Sequence, residues 1–93
     1  MNDLYLEIVS PEAILFEGPV GMVDIPGTMG RFTILRDHAP IVSTLVAGRV
    51  RVISKDGREL FFPCREGVVE CKDNHLTLLI DHHPDTAIKP SDF

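Results

Sequence analysis

Apolar and polar positions alternate in short bursts along this chain, and turn-forming residues interrupt each burst. Leu4, Leu6 and Ile8 alternate with Tyr5, Glu7 and Val9, a period of two that predicts a strand with one buried face. Ser10, Pro11 and Glu12 end it. Residues 13–17 form a second apolar run, closed by Gly18 and Pro19, and residues 20–25 a third, closed by Pro26 and Gly27. Residues 31–35 read as a further strand. A break at His38, Ala39 and Pro40 follows, and residues 41–46 are apolar again. Residues 49–53 show the cleanest alternation, so Arg49 and Arg51 should face water while Val50 and Val52 face the core. Lys55, Asp56 and Gly57 mark a hairpin, because glycine takes positive φ without steric cost. Residues 58–64 return as its partner strand. A second hairpin joins 68–72 to 75–81 through Asp73 and Asn74. This makes at least eight strands in about 80 residues and no stretch of helical period, a pattern that predicts an all-β sandwich or barrel.

Beyond Asp81 the pattern stops. HHPDTAIKPSDF has two prolines and no periodicity. The expected organisation is therefore one domain over residues 1–81 and a flexible, unstructured tail over 82–93. There are no internal repeats or low-complexity blocks.

Size and charge narrow the function classes. A chain of 93 residues has room for one modest core. Its net charge of −5 weighs against a nucleic-acid binder, which carries a basic face; a local basic patch is still possible at Arg49, Arg51, Lys55 and Arg58. MNDLYLEIVSP has neither the basic start nor the apolar run of a secretory signal. No apolar run approaches the roughly 20 residues needed to cross a bilayer, so no direct membrane insertion is expected. Cys64 and Cys71, the two cysteines, read as free thiols of a reducing compartment.

Candidate chemistry concentrates in IPGTMGRFTILRDHAP, residues 25–40. Gly27 and Gly30 flank Thr28 as they could in a phosphate loop, but no Gly-Lys-Ser/Thr follows and the next residues are strand-like, so the glycines read as turn-formers. Asp37 beside His38 could be an acid/base pair. Such a pair needs a nucleophile held close, and neighbouring side chains on an extended chain point apart, so Ser43 and Thr44 are poor candidates. His75, His82 and His83 with Asp81 or Asp85 match no zinc spacing. Phe61 and Phe62 are adjacent in one strand, which sends one ring inward and the other toward a possible buried interface. These residues predict no catalytic, metal or cofactor site. The alternative is a small β-sandwich ligand-binding module or enzyme using the loops of residues 27–38.

Several segments, taken in order, resemble the epsilon subunit of the rotary F-type ATP synthase. LEIVSPE at 6–12 is similar to that family's first strand and turn, and Phe16, Glu17 and Gly18 match its F-x-G step. IPGTMGRF at 25–32 looks like its L-P-G-T-E-G-E-F segment, and HAP at 38–40 follows at the family spacing. Gly48 to Arg51 resembles G-x-[VI]-R, and GVVEC at 67–71 and HLTLLID at 75–81 resemble the last two strands. The resemblance covers about residues 4–81. It implies a ten-stranded β-sandwich of two five-stranded sheets, monomeric when isolated. It also implies a non-catalytic rotor subunit that binds gamma through one side of the sandwich and touches the polar loops of the c-ring through one end. The ring contacts carried over are Gly30, Arg31, Phe32, Asp37, His38, Ala39 and Pro40. The implied location is peripheral, on the cytoplasmic side of the bacterial inner membrane.

The chain also departs from that pattern. Arg31 stands where the family commonly has an acid. Arg36 and Asp37 replace Pro-Gly, and Cys64, Arg65 and Glu66 before Gly67 replace a small-residue turn. Residues 82–93 offer no Ala- and Arg-rich helical hairpin, so the resemblance implies the coupling role and not the self-inhibitory one.

Overall fold

A computed structural model describes residues 3–81. The tail expected over 82–93, with His82, His83 and Asp85, lies outside the described residues. Eight strands run in chain order: β1 Leu4–Val9, β2 Ile14–Gly27, β3 Gly30–Ile34, β4 Ile41–Leu45, β5 Gly48–Ser54, β6 Glu59–Cys64, β7 Glu66–Lys72 and β8 His75–Asp81.

The all-β expectation holds among the described residues, but ten separate strands do not appear. The runs that Gly18 and Pro19 divide in the sequence continue as one 14-residue strand, because both residues stay paired: Gly18 opposite Leu6 and Pro19 opposite Tyr5. β2 then serves two layers. Its first half pairs with β1, and its second half pairs with β5 and β3. One layer is therefore β2-β1-β8-β7-β4 and the other β3-β2-β5-β6. The hydrogen-bonded path runs β1-β8-β7-β4-β2-β5-β6. β1 and β8 run parallel, and the other pairings are antiparallel.

The period of two places the core. Leu4, Leu6 and Ile8 of β1, Val50 and Val52 of β5, and Leu76, Leu78 and Ile80 of β8 are all buried between the layers. Burying each such side chain fully is worth about 1.5–3 kcal/mol. Phe62 turns inward and meets Phe16 edge-on, ring centroids 5.9 Å apart, whereas Phe61 faces out. The two expected hairpins form. Gly57 takes φ 90°, and Asp73 and Asn74 take φ 52° and 64°, the paired positive values that a two-residue turn between twisted strands requires.

Candidate functional site

The residues of 25–40 do not converge. Gly27 faces Gly30 at the start of β3, and β3 then runs five residues to Ile34. A strand of that length spans roughly 17 Å. Gly27 also faces Leu45, which faces Gly67 at the start of β7. Asp37 bonds to Asn74, beyond the other end of β7. Gly30 and Arg31 thus sit at one end of the sandwich, and Asp37, His38, Ala39 and Pro40 at the other. No shared pocket forms, which removes the geometry that the ligand-binding alternative requires.

At the first end, Thr28 and Met29 make the tip of the β2–β3 hairpin, with Met29 98% exposed. Thr28 N–H donates to Thr44 C=O at 3.2 Å, and Val46 N–H to Pro26 C=O at 2.9 Å, tying the tip to β4. Phe32 is not a surface residue. Its half-buried ring packs on the core so close to Gly27 that a Cβ there would lie 2.7 Å from the ring. Arg31 is folded back along the sheet. Its guanidinium donates to Arg49 C=O at 3.0 Å and lies 3.4 Å from the Asp24 carboxylate. The charge that departs from the family pattern therefore has a partner within the chain.

At the second end, Asp37 and His38 do not form an acid/base pair. Asp37 N–H donates to Asn74 Oδ1 at 2.6 Å, and Asn74 Nδ2 donates to Asp37 Oδ1 at 3.0 Å. The His38 ring bonds through Nδ1 to Ala39 C=O at 2.7 Å, and Ser43 Oγ donates to Thr44 C=O. Each group is occupied locally, so no relay to a nucleophile exists. Asp37 takes φ 66°, a left-handed conformation that short polar side chains tolerate best after glycine. The Asp37 side chain then latches the loop to the β7–β8 turn. Asn74 C=O in turn accepts from Tyr5 N–H at 2.8 Å, linking the latch to β1.

The sequence reading missed a feature that only register reveals. Thr44 lies opposite Val68, Val68 opposite Leu79, Leu79 opposite Val9, and Val9 opposite Ile14. These outward-facing residues form one row across five strands, β4-β7-β8-β1-β2. Ile14 and Leu79 are 61% and 54% exposed. The row runs beside a groove of about 640 Å³ lined also by Ser10, Pro11 and Gly67. The available signal was Leu79, which puts a leucine where the alternation of β8 calls for a polar residue. His75 is occupied elsewhere: it pairs with Glu7 at 2.6 Å and stacks against Tyr5.

Both cysteines are buried thiols. Burial pushes Cys64 up to about 11, with the Asp81 and Glu66 carboxylates adding to the shift, and burial raises Cys71 as well. Neither is a nucleophile at neutral pH. Among the described residues, no helix is long and apolar enough to cross a membrane.

Comparison with known proteins agrees with this architecture. Residues 3–83 match the family model for the ATP synthase delta/epsilon chain, beta-sandwich domain. The ATP synthase epsilon chain of Leptospira interrogans is 41% identical over 81 residues, 87% of this chain and 63% of that one. The epsilon chain of Caulobacter vibrioides is 39% identical over 88 residues, covering 94% of this chain and all of its own length. This chain thus spans just under two thirds of the Leptospira relative and the full length of the Caulobacter one. A cryo-EM structure of the Euglena gracilis mitochondrial ATP synthase, with OSCP, F1 and c-ring, contains a chain of the same fold. That match has a TM-score of 0.81 at 17% identity and covers 86% of this chain and 51% of that one. With its strand pairings, core and sequence in agreement, this chain belongs to the beta-sandwich domain family of the ATP synthase delta/epsilon chain.

Proposed function

We propose that the protein is a non-catalytic central-stalk subunit of a bacterial F-type ATP synthase. In this reading it is monomeric when isolated and peripheral on the cytoplasmic side of the membrane when assembled. It binds gamma and the polar loops of the c-ring, and couples ion translocation to ATP synthesis and hydrolysis. The observation that carries the reading is the outward apolar row Ile14, Val9, Leu79 and Val68, which Thr44 continues on β4. A row of apolar residues across a solvent-facing sheet is unfavourable for a lone subunit and suited to a partner that covers it. We assign gamma to this face.

A ring approached end-on reaches one end of the sandwich. We assign that contact to the hairpin tip, where Gly30, Arg31 and the fully exposed Met29 lie. Phe32 then supports the tip from inside. Asp37, His38, Ala39 and Pro40 lead into β4, whose exposed Val42 shares the outward side of the gamma face, and go with gamma.

The test is binding of the protein to its own gamma subunit. Leu79→Glu and Val68→Glu should each weaken the complex at least about tenfold while leaving the melting temperature within a few degrees, as desolvated interface anchors do. Unchanged affinity in both variants would exclude this face and remove the basis of the reading.

A further inference from the structure

Register also places charge on the apolar face. Beside the row Ile14, Val9, Leu79 and Val68 lies a second outward row, in which Glu17 faces Glu7, Glu7 faces Thr77 and Thr77 faces Glu70. On the other side of the apolar row, Glu66 faces Asp81. Outward side chains along a strand repeat every two residues, so each acidic row runs roughly 7 Å from the apolar one. Two like-charged pairs therefore stand in direct cross-strand register, Glu17 with Glu7 and Glu66 with Asp81, an arrangement that destabilises a sheet standing alone. One member of each pair is engaged within the chain: Glu7 meets His75 at 2.6 Å, and Asp81 has its own contacts. Among the described residues no cation pairs with Glu17, Glu66 or Glu70.

From this pattern we infer that the gamma segment covering the face is an apolar ridge with Lys or Arg side chains along both flanks, which the two acidic rows hold in register. The inference rests on the assignment of gamma to this face. A partner seated on Leu79 and Val68 takes water away from carboxylates one row to either side. Desolvating an ionised carboxylate without a counter-charge is costly, and a purely apolar or acidic partner offers none. A basic side chain between Glu17 and Glu7, or beside Glu66, relieves the like-charge contact and the desolvation together. The groove of about 640 Å³ shows both chemistries at close range, since Val9, Val68 and Leu79 line it together with Glu66 and Asp81. The Tyr5 phenol, one row beyond Glu7, feels the same field: desolvation pushes it above its ordinary value, and the Glu17 and Glu7 carboxylates add to the shift. Lys72 and His75 face each other in that outer row, which leaves both flanks of the apolar row acidic.

Charges at the rim of an interface act chiefly on encounter. They raise the association rate and fix the register, whereas the desolvated apolar centre sets the dissociation rate. The acidic flanks and the apolar row therefore leave separable kinetic signatures.

The experiment measures association and dissociation rates of the intact protein with its own gamma subunit, at low and at physiological salt. The variants are Glu17→Lys combined with Glu66→Lys, Leu79→Glu, and a control pair, Asp56→Lys with Glu59→Lys, which makes the same charge change on the opposite layer. The Glu17→Lys, Glu66→Lys double variant is expected to associate about tenfold more slowly at low salt, with a flatter salt dependence and a dissociation rate changed by less than about threefold. Its melting temperature should hold or rise, because each substitution turns a like-charge pair into an opposite one; a folding defect would lower it. The control pair should associate within about twofold of the unaltered protein at physiological salt, where charges farther than about 8 Å are largely screened. Association of the double variant as fast as that of the unaltered protein would overturn the inference, as would equal slowing by the control pair. Unchanged binding in Leu79→Glu would remove gamma from this face and the inference with it. Weakened binding in Leu79→Glu beside normal association of the double variant would overturn the inference alone.

Discussion

Where β2 turns into β3 and β7 begins, the chain comes together because side chains are missing. A Cβ on Gly27 would lie 2.7 Å from the Phe32 ring, and one on Gly67 would lie 2.4 Å from Leu79 C=O. At the far end of the same strands the chain comes together because side chains are present: Asp37 and Asn74 exchange two hydrogen bonds and both hold left-handed backbone. One end is fixed by close backbone approach and the other by a polar latch. The first kind of contact tolerates no added atom. The second tolerates substitution and loses a limited amount. Breaking each end in turn gives a graded set of expectations.

The largest effect should come from Gly67→Ala. Its Cβ meets the Leu79 carbonyl oxygen at 2.4 Å and Ile80 Cα at 3.1 Å, and backbone cannot swing aside as a side chain end can. A loss of about 3 kcal/mol is expected, at the upper end of overpacking costs. In a domain of this size that lowers the melting temperature by more than about 10 °C. Gly27→Ala should cost less, because its closest neighbour is a ring that can tilt. Equal and small losses in both would mean that the glycines serve only as turn-formers.

The next effect belongs to the same end and appears only at high pH. Cys64 donates its thiol to Val46 C=O, and burial pushes the thiol up to about 11. In the unfolded chain the thiol ionises near its ordinary value of 9. Between those two values the unfolded state has lost the proton that the folded state keeps, so it binds fewer protons and stability falls as pH rises. The slope approaches about 1.4 kcal/mol per pH unit from this one group. Urea midpoints of the protein and of Cys64→Ala should therefore converge between pH 9 and 11. A constant gap between them would show that the thiol does not titrate differently on folding.

How much of this was legible in the sequence differs between the two ends for a physical reason. Strand periodicity reports which face of a strand is wet, and it located β1, β5 and β8 and the inward Val50 and Val52. It also placed turns at Gly57 and at Asp73 and Asn74, where residue type alone dictates positive φ. It could not report pairing. Gly18 and Pro19 look like a break to local rules, yet continue as strand because β1 lies alongside them. The apolar row through Leu79 exists only once five strands are in register. Arg31 was legible as a departure from the family but not as a paired charge, since Asp24 reaches it across a hairpin and Arg49 comes from a third strand. The ring contact expected of residues 37–40 came from the resemblance. The resemblance put these residues at one end with Gly30 and Arg31, and β3 separates the two groups by the length of a strand.

At the latched end, Asn74→Ala should cost about 1–2 kcal/mol. It removes both hydrogen bonds to Asp37 and leaves a non-glycine residue at φ 64° without the side chain that eases that conformation. Asn74→Gly separates the two contributions, because it relieves the backbone but still breaks the latch, and it should cost less. Asp37→Gly should be near neutral. The backbone N–H that donates to Asn74 Oδ1 survives, one acceptor is lost, and the left-handed position becomes unstrained. Hydrogen exchange of the 35–39 amides follows the latch directly, and it should quicken in Asn74→Gly even where the melting temperature barely moves. Exchange unchanged in that variant would show that the loop is held by packing instead.

The smallest effect is expected where the sequence drew most attention. Arg31→Glu removes a hydrogen bond to Arg49 C=O and sets a second carboxylate beside Asp24, yet the Arg31 side chain is 47% exposed and its pairing is shared with water. Exposed ion pairs of this kind contribute about 0–1 kcal/mol, so a stability loss within that range is expected, shrinking as salt is raised. Asp24→Asn should cost no more, and the double variant should recover part of the loss, because the like-charge contact created by Arg31→Glu disappears. If the proposed contact holds and the tip meets the ring through the shape of Met29 and Gly30, Arg31→Glu should leave ion pumping by the reconstituted synthase close to unchanged, while Met29→Asp lowers it. A pumping defect in Arg31→Glu larger than in Met29→Asp would mean that the guanidinium leaves Asp24 on assembly and meets the ring itself.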